Sequence, residues 1–155
     1  MVDEQTFLRE VSEMERMLYR VSRSLLPSPH DCSDAVQEAL AKAWAKREKA
    51  QPEWFRPWLM RILINQCHDQ QRRRKRVVLL SEMKETNRDA APNEQLRQAM
   101  EALPEQSRLL LTLHYLEGFS IAEIASITHA AEGTVKSRLY KARAQLKAEW
   151  EADEP

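Results

Sequence analysis

Glycine is almost missing from this chain: Gly118 and Gly133 are the only two in 155 residues. Tight hairpins rely on residues that accept positive φ, so a sheet built from short hairpins is poorly supplied. Cysteine is equally scarce. Cys32 and Cys67 stand far apart with no CxxC spacing, which leaves a disulfide framework or thiolate metal site unsupported and suits a reducing compartment. No stretch approaches the roughly 18 consecutive apolar residues of a membrane span. The opening MVDEQTFLRE is acidic and holds no apolar signal core. A soluble, cytoplasmic protein with no membrane insertion is expected. Catalytic signatures are lacking too: His30, His68, His114 and His129 fall at no metal-ligand spacing, and no serine sits in a GxSxG setting. Neither enzymatic activity nor a cofactor is expected.

Net charge is also absent, because 24 Lys and Arg are balanced by 24 Asp and Glu. The zero total hides a separation. Residues 1–80 hold 15 basic against 11 acidic side chains and residues 81–155 hold 9 against 13, giving +4 and −4. Within the acidic half, the stretch between Gly133 and Ala148 contains no acidic residue at all. Position therefore says more about partners than the total does.

What is abundant is helical periodicity. Phe7, Leu8, Val11, Met14, Leu18, Val21 and Leu25 recur at three- and four-residue steps, an amphipathic stripe that Leu26-Pro27-Ser28-Pro29 ends. Asp31 or Ser33 is placed to cap a second helix with Ala35, Val36, Ala39, Leu40, Ala43 and Trp44 inward. A third helix starts between Pro52 and Pro57, carries Trp58, Leu59, Ile62, Leu63 and Gln66 on one side, and runs into Arg72-Arg73-Arg74-Lys75-Arg76. Residues 81–93, SEMKETNRDAAPN, have no apolar periodicity and read as a flexible linker. Beyond it, Leu96, Met100 and Leu103 form a helix stopped by Pro104, and an apolar helix over 107–116 is capped by Gly118. The expectation is an all-α protein of two small helical domains, 1–80 and 94–150, joined by the 81–93 linker.

The most specific local pattern follows. Ser120 and Glu123 have capping-box spacing and open a short helix to Ile127; a turn over Thr128 to Ala131 leads into a last helix from about Glu132 to Trp150. Ile121, Ile124, Ala125, Val135 and Leu139 are spaced to pack the two helices together, a helix-turn-helix pattern. Lys136, Ser137, Arg138, Tyr140, Lys141, Arg143 and Lys147 point outward on the second helix, where cations neutralise phosphates and reach base acceptors in a major groove.

The stretch Phe119-Ser120-Ile121-Ala122-Glu123-Ile124-Ala125, followed by Glu132-Gly133-Thr134-Val135-Lys136-Ser137-Arg138-Leu139-Tyr140-Lys141-Ala142-Arg143, resembles region four of the extracytoplasmic-function sigma factors of bacterial RNA polymerase. Leu103-Pro104-Glu105-Gln106-Ser107-Arg108 is similar to the opening of that region. Asp31-Cys32-Ser33-Asp34-Ala35-Val36-Gln37-Glu38-Ala39-Leu40 with Ala43-Trp44 resembles region two of the same family, and the likeness spans about residues 14 to 147. One departure is His129, where the family usually has glycine; histidine tolerates the left-handed backbone better than most residues.

The resemblance implies that Thr134, Lys136, Ser137, Arg138, Tyr140 and Lys141 contact the minus-thirty-five promoter element. It assigns Asp34, Gln37 and Glu38 to docking on core RNA polymerase, and Arg61, Asn65, Arg72, Arg73 and Arg74 to the minus-ten element. The loop Gln51 to Phe55 is the candidate pocket for an unstacked base, with Trp54, Phe55 and Trp58 open as stacking or core aromatics and Trp58 favoured for the core. The partners implied are core polymerase, promoter DNA and an anti-sigma factor covering the polymerase-binding surfaces. The alternative is a stand-alone helix-turn-helix regulator that binds an operator without polymerase.

Overall fold

The computed structural model describes residues 2–77 and 94–152, with side chains through Arg74 in the first stretch. All its regular elements are helical: α1 (Glu4–Leu25), α2 (Pro29–Ala45), α3 (Phe55–Val77), α4 (Glu94–Glu101), α5 (Glu105–Leu111), α6 (Ile121–Thr128) and α7 (Glu132–Ala152). The chain divides into two compact units, Met1–Thr86 and Asn87–Pro155. The expected linker at 81–93 lies outside the described residues.

In the first unit α1, α2 and α3 pack on one another. Asp3 caps α1 by accepting from the Thr6 N–H at 2.8 Å, and Leu26, held extended before Pro27, ends it. Phe7, Met14, Leu18, Val21 and Leu25 are buried as the stripe requires. Leu8 is not, being 61% exposed: it sits about 100° around the helix from Phe7, one step off the seam. The second helix starts earlier than expected. Ser28, not Asp31 or Ser33, is its cap, because Pro29 is pre-organised for the first helical position.

Small residues at Cys32, Ala35, Ala39 and Ala43 let α2 approach its neighbours closely, while α3 supplies Phe55, Leu59, Met60, Leu63 and Cys67. Full burial of a leucine or methionine such as Leu59 or Met14 stabilises the unit by about 1.5–3 kcal/mol. At one end Phe7 packs edge-on against Trp44 and Phe55, centroids 5.2 and 5.6 Å apart, and Phe55 leans on Trp58 at 5.8 Å. The start of α3 is further tied to α1 by Arg56, which donates to Glu10 at 3.0 Å and Glu13 at 2.8 Å.

In the second unit α4, α5 and α6 each pack against α7. Leu109, Leu110, Leu111 and Leu113 are buried, and the Thr112 hydroxyl is satisfied by the Arg108 carbonyl at 2.8 Å. The helix widens into a π turn over Thr112–Leu116 and is released by Gly118 at φ 77. There the His114 Nδ1–H donates to the Phe119 carbonyl at 2.8 Å, fastening the loop that enters α6.

Candidate nucleic-acid interface

The helix-turn-helix is built by its caps. Ser120 Oγ accepts from the Glu123 N–H at 3.0 Å while Glu123 Oε1 accepts from the Ser120 N–H at 2.9 Å. Two otherwise unpaired donors of α6 are thus satisfied, and such a cap contributes about 1 kcal/mol. His129 ends α6 in the left-handed conformation, φ 55 and ψ 41, with its N–H bonded to the Ala125 carbonyl. Histidine thus takes the left-handed backbone that it tolerates better than most residues. Ile124, Ile127, Val135, Leu139 and Ala142 are buried between the helices, whereas Ile121 and Ala125 are only half-buried. Ile127 and Ala142 were not in the expected packing set, although each continues its helix's three- to four-residue step.

With Val135, Leu139 and Ala142 fixed inward, Thr134, Lys136, Ser137, Arg138, Tyr140 and Lys141 are all exposed on α7. Lys136 with Tyr140 and Ser137 with Lys141 form two adjacent four-residue rows. Arg143 is drawn aside: it donates to the Tyr115 hydroxyl and lies 6.0 Å from the Tyr140 ring centroid. It also lines a groove of about 580 Å³ with Leu96, Met100, Leu116, Leu146 and Trp150. Tyr115 and Leu116 remain 52% and 62% exposed there. Sequence reasoning missed this groove, though Leu146 and Trp150, four apart near the end of the last helix, were the available signal.

On α2, Asp34, Gln37, Glu38 and Ala41 are exposed along one strip. His30 Nε2 lies 3.5 Å from the Asp34 carboxylate, both largely in solvent. Gln37 borders a groove between α1 and α2 lined also by Tyr19, Arg20, Val36 and Leu40.

The residues expected at the minus-ten element are less uniform. Arg61 is half-buried and Asn65 exposed one turn later. The Gln51-to-Phe55 loop is a tight turn in which Trp54 is 43% exposed and Phe55 only 1%, so Phe55 is core and cannot stack on a base. Trp58 is half-buried against Phe55. Arg72 pairs with Asp69, and Arg74 pairs with Asp31 of α2. Arg73 is exposed with no ion pair among the described residues. Buried Gln66 accepts from Lys42, whose ammonium also lies 3.9 Å from Asp69. Both cysteines are buried and neither is in a disulfide, and burial pushes the Cys32 thiol up, which disfavours the reactive thiolate. No helix among the described residues is long and apolar enough to cross a membrane.

The family profile for Sigma-70 region 2 matches residues 11–77, and that for Sigma-70, region 4 matches residues 93–146. The chain is 28% identical over 138 residues to the RNA polymerase sigma factor SigV of Bacillus subtilis, covering 85% of this chain and 83% of that protein. It is 32% identical over 137 residues to the ECF RNA polymerase sigma factor SigM of Mycobacterium tuberculosis, covering 84% and 70%. Among solved structures it is similar to the sigma factor RpoE, solved in complex with the anti-sigma factor NepR from Bartonella quintana. That match has 28% identity and a TM-score of 0.78, covering 96% of this chain and 98% of that one. With both regions matched in order along one all-helical chain, the protein belongs to the extracytoplasmic-function (ECF) family of RNA polymerase sigma factors.

Proposed function

We propose that this chain joins core RNA polymerase through the strip Asp34, Gln37 and Glu38 and directs it to promoters. In this reading Thr134, Lys136, Ser137, Arg138, Tyr140 and Lys141 read the minus-thirty-five element, while Arg61, Asn65 and the end of α3 meet the minus-ten element. The observation that carries it is the coexistence, in one chain, of an exposed acidic strip on α2 and an acid-free basic face on a capped helix-turn-helix. A stand-alone regulator needs only the second.

The mechanism is two-site binding. Each contact alone is weak, and attachment to one polymerase raises the effective concentration of the other. Zero net charge supports weak binding of the free chain to DNA. The chain acts without cofactor or catalysis of its own, in the cytoplasm where polymerase and chromosome meet. In this reading an anti-sigma factor holds it inactive by covering the polymerase-binding surfaces; the similar sigma factor RpoE was solved in complex with the anti-sigma factor NepR.

The experiment is size-exclusion chromatography of the chain with bacterial core polymerase, beside titration of the chain alone into duplex DNA. Co-elution at one chain per core with weak duplex binding alone is the expected result. Separate elution together with tight, sequence-specific binding by the free chain favours the stand-alone regulator.

A further inference from the structure

Three consecutive arginines on a helix do not make a track. At about 100° per residue, Arg72, Arg73 and Arg74 leave α3 in three directions. Arg74 is directed at the first turn of α2, where Asp31 receives it, and the two side chains are each 33% exposed, against 67% for Arg72. The preceding residues fix this approach. Gln71 Nε2 donates to the Leu25 carbonyl at 2.8 Å. Gln70, in the amide orientation that satisfies both its polar atoms, donates to the Asp31 carbonyl at 2.9 Å and accepts from the Ala35 N–H at 3.2 Å. Asp31 is itself set by the Ser28 cap, to which its N–H donates at 3.4 Å. The last described turns of α3 are therefore pinned to the junction of α1 and α2, and the Arg74–Asp31 pair is preset rather than a chance meeting of two long surface chains.

We propose that Asp31 screens Arg74 from nucleic acid, so that Arg73 supplies a phosphate contact at this end of α3 while Arg74 is a structural tie. Asp31 is then a positioning residue that limits how strongly the free chain holds single-stranded DNA. This rests on the reading of α3 as a DNA-facing helix. A cation already neutralised by a carboxylate releases few counterions when a strand binds, so it adds little to affinity or to salt dependence.

The test measures binding of the full chain to a fluorescent single-stranded oligonucleotide by anisotropy across a salt series. Each freed phosphate contact steepens the plot of log K against log salt by about 0.7 on a single strand. Asp31→Asn is expected to bind more tightly, with a slope steeper than the unsubstituted chain by about that amount. Arg74→Gln leaves the slope unchanged, Arg73→Gln makes it shallower by a similar step, and the double variant Asp31→Asn with Arg74→Gln returns to the starting slope. Thermal melting of Asp31→Asn and Arg74→Gln, which remove the same ion pair, is expected to fall together.

An unchanged slope in Asp31→Asn while Arg73→Gln still lowers it overturns the screening role alone. So does an Arg74→Gln variant as shallow as Arg73→Gln. If neither Arg73→Gln nor Asp31→Asn moves the slope, the DNA-facing reading of this helix end fails, and the screening role with it.

Discussion

Lys136→Ala combined with Lys141→Ala is expected to lower promoter-specific transcription by roughly 30-fold or more, at about 1–3 kcal/mol for each specific interaction with DNA that is removed. Both ammonium groups leave the exposed side of α7, away from the buried Val135, Leu139 and Ala142. Melting temperature and core-polymerase binding should therefore be unchanged, and the salt dependence of promoter binding should become shallower. Footprinting at the minus-thirty-five element, with run-off transcription from the same fragment, checks this. Equal use of promoters by the variant and the unsubstituted chain would remove α7 as the reading helix.

Asp34→Lys with Glu38→Lys is expected to weaken association with core polymerase by about 100-fold or more, since like-charge juxtaposition across an interface costs several kcal/mol. The two carboxylates are four residues apart on the exposed strip, and neither takes part in the packing of α2. Removing the solvent-exposed pairing of His30 with Asp34 is a small term beside that. The double reversal also adds four units of positive charge, which by itself favours DNA. Competition for core polymerase against an unsubstituted labelled chain is therefore the informative readout, and unchanged affinity would remove this strip as the docking surface.

How much of this was legible in the sequence differs by element. The capping box Ser120/Glu123 and the left-handed His129 were readable because they depend on neighbours within four residues. The seam of α1 was readable from its period, and Leu8 was misplaced because adjacent apolar residues share a stripe in sequence but not on a cylinder. Leu26-Pro27-Ser28-Pro29 was read as a stop when it is also a start: Ser28 caps and Pro29 begins α2. Pairings distant in sequence were not legible. Nothing local links Arg74 to Asp31, 43 residues away, so a run of cations looked uniformly available. Phe55 likewise stayed open between stacking and core until Phe7 and Trp58 packed against it. The groove beside Trp150 exists only once α4, α5 and α7 are assembled.

The most direct test of the central claim is in vitro transcription with purified bacterial core polymerase on a pooled library of promoter fragments, with and without the chain. Transcripts starting at defined sites only when the chain is present, with common sequence near minus ten and minus thirty-five, are the predicted result. Absence of any chain-dependent start site, with no complex formed with core, would contradict it.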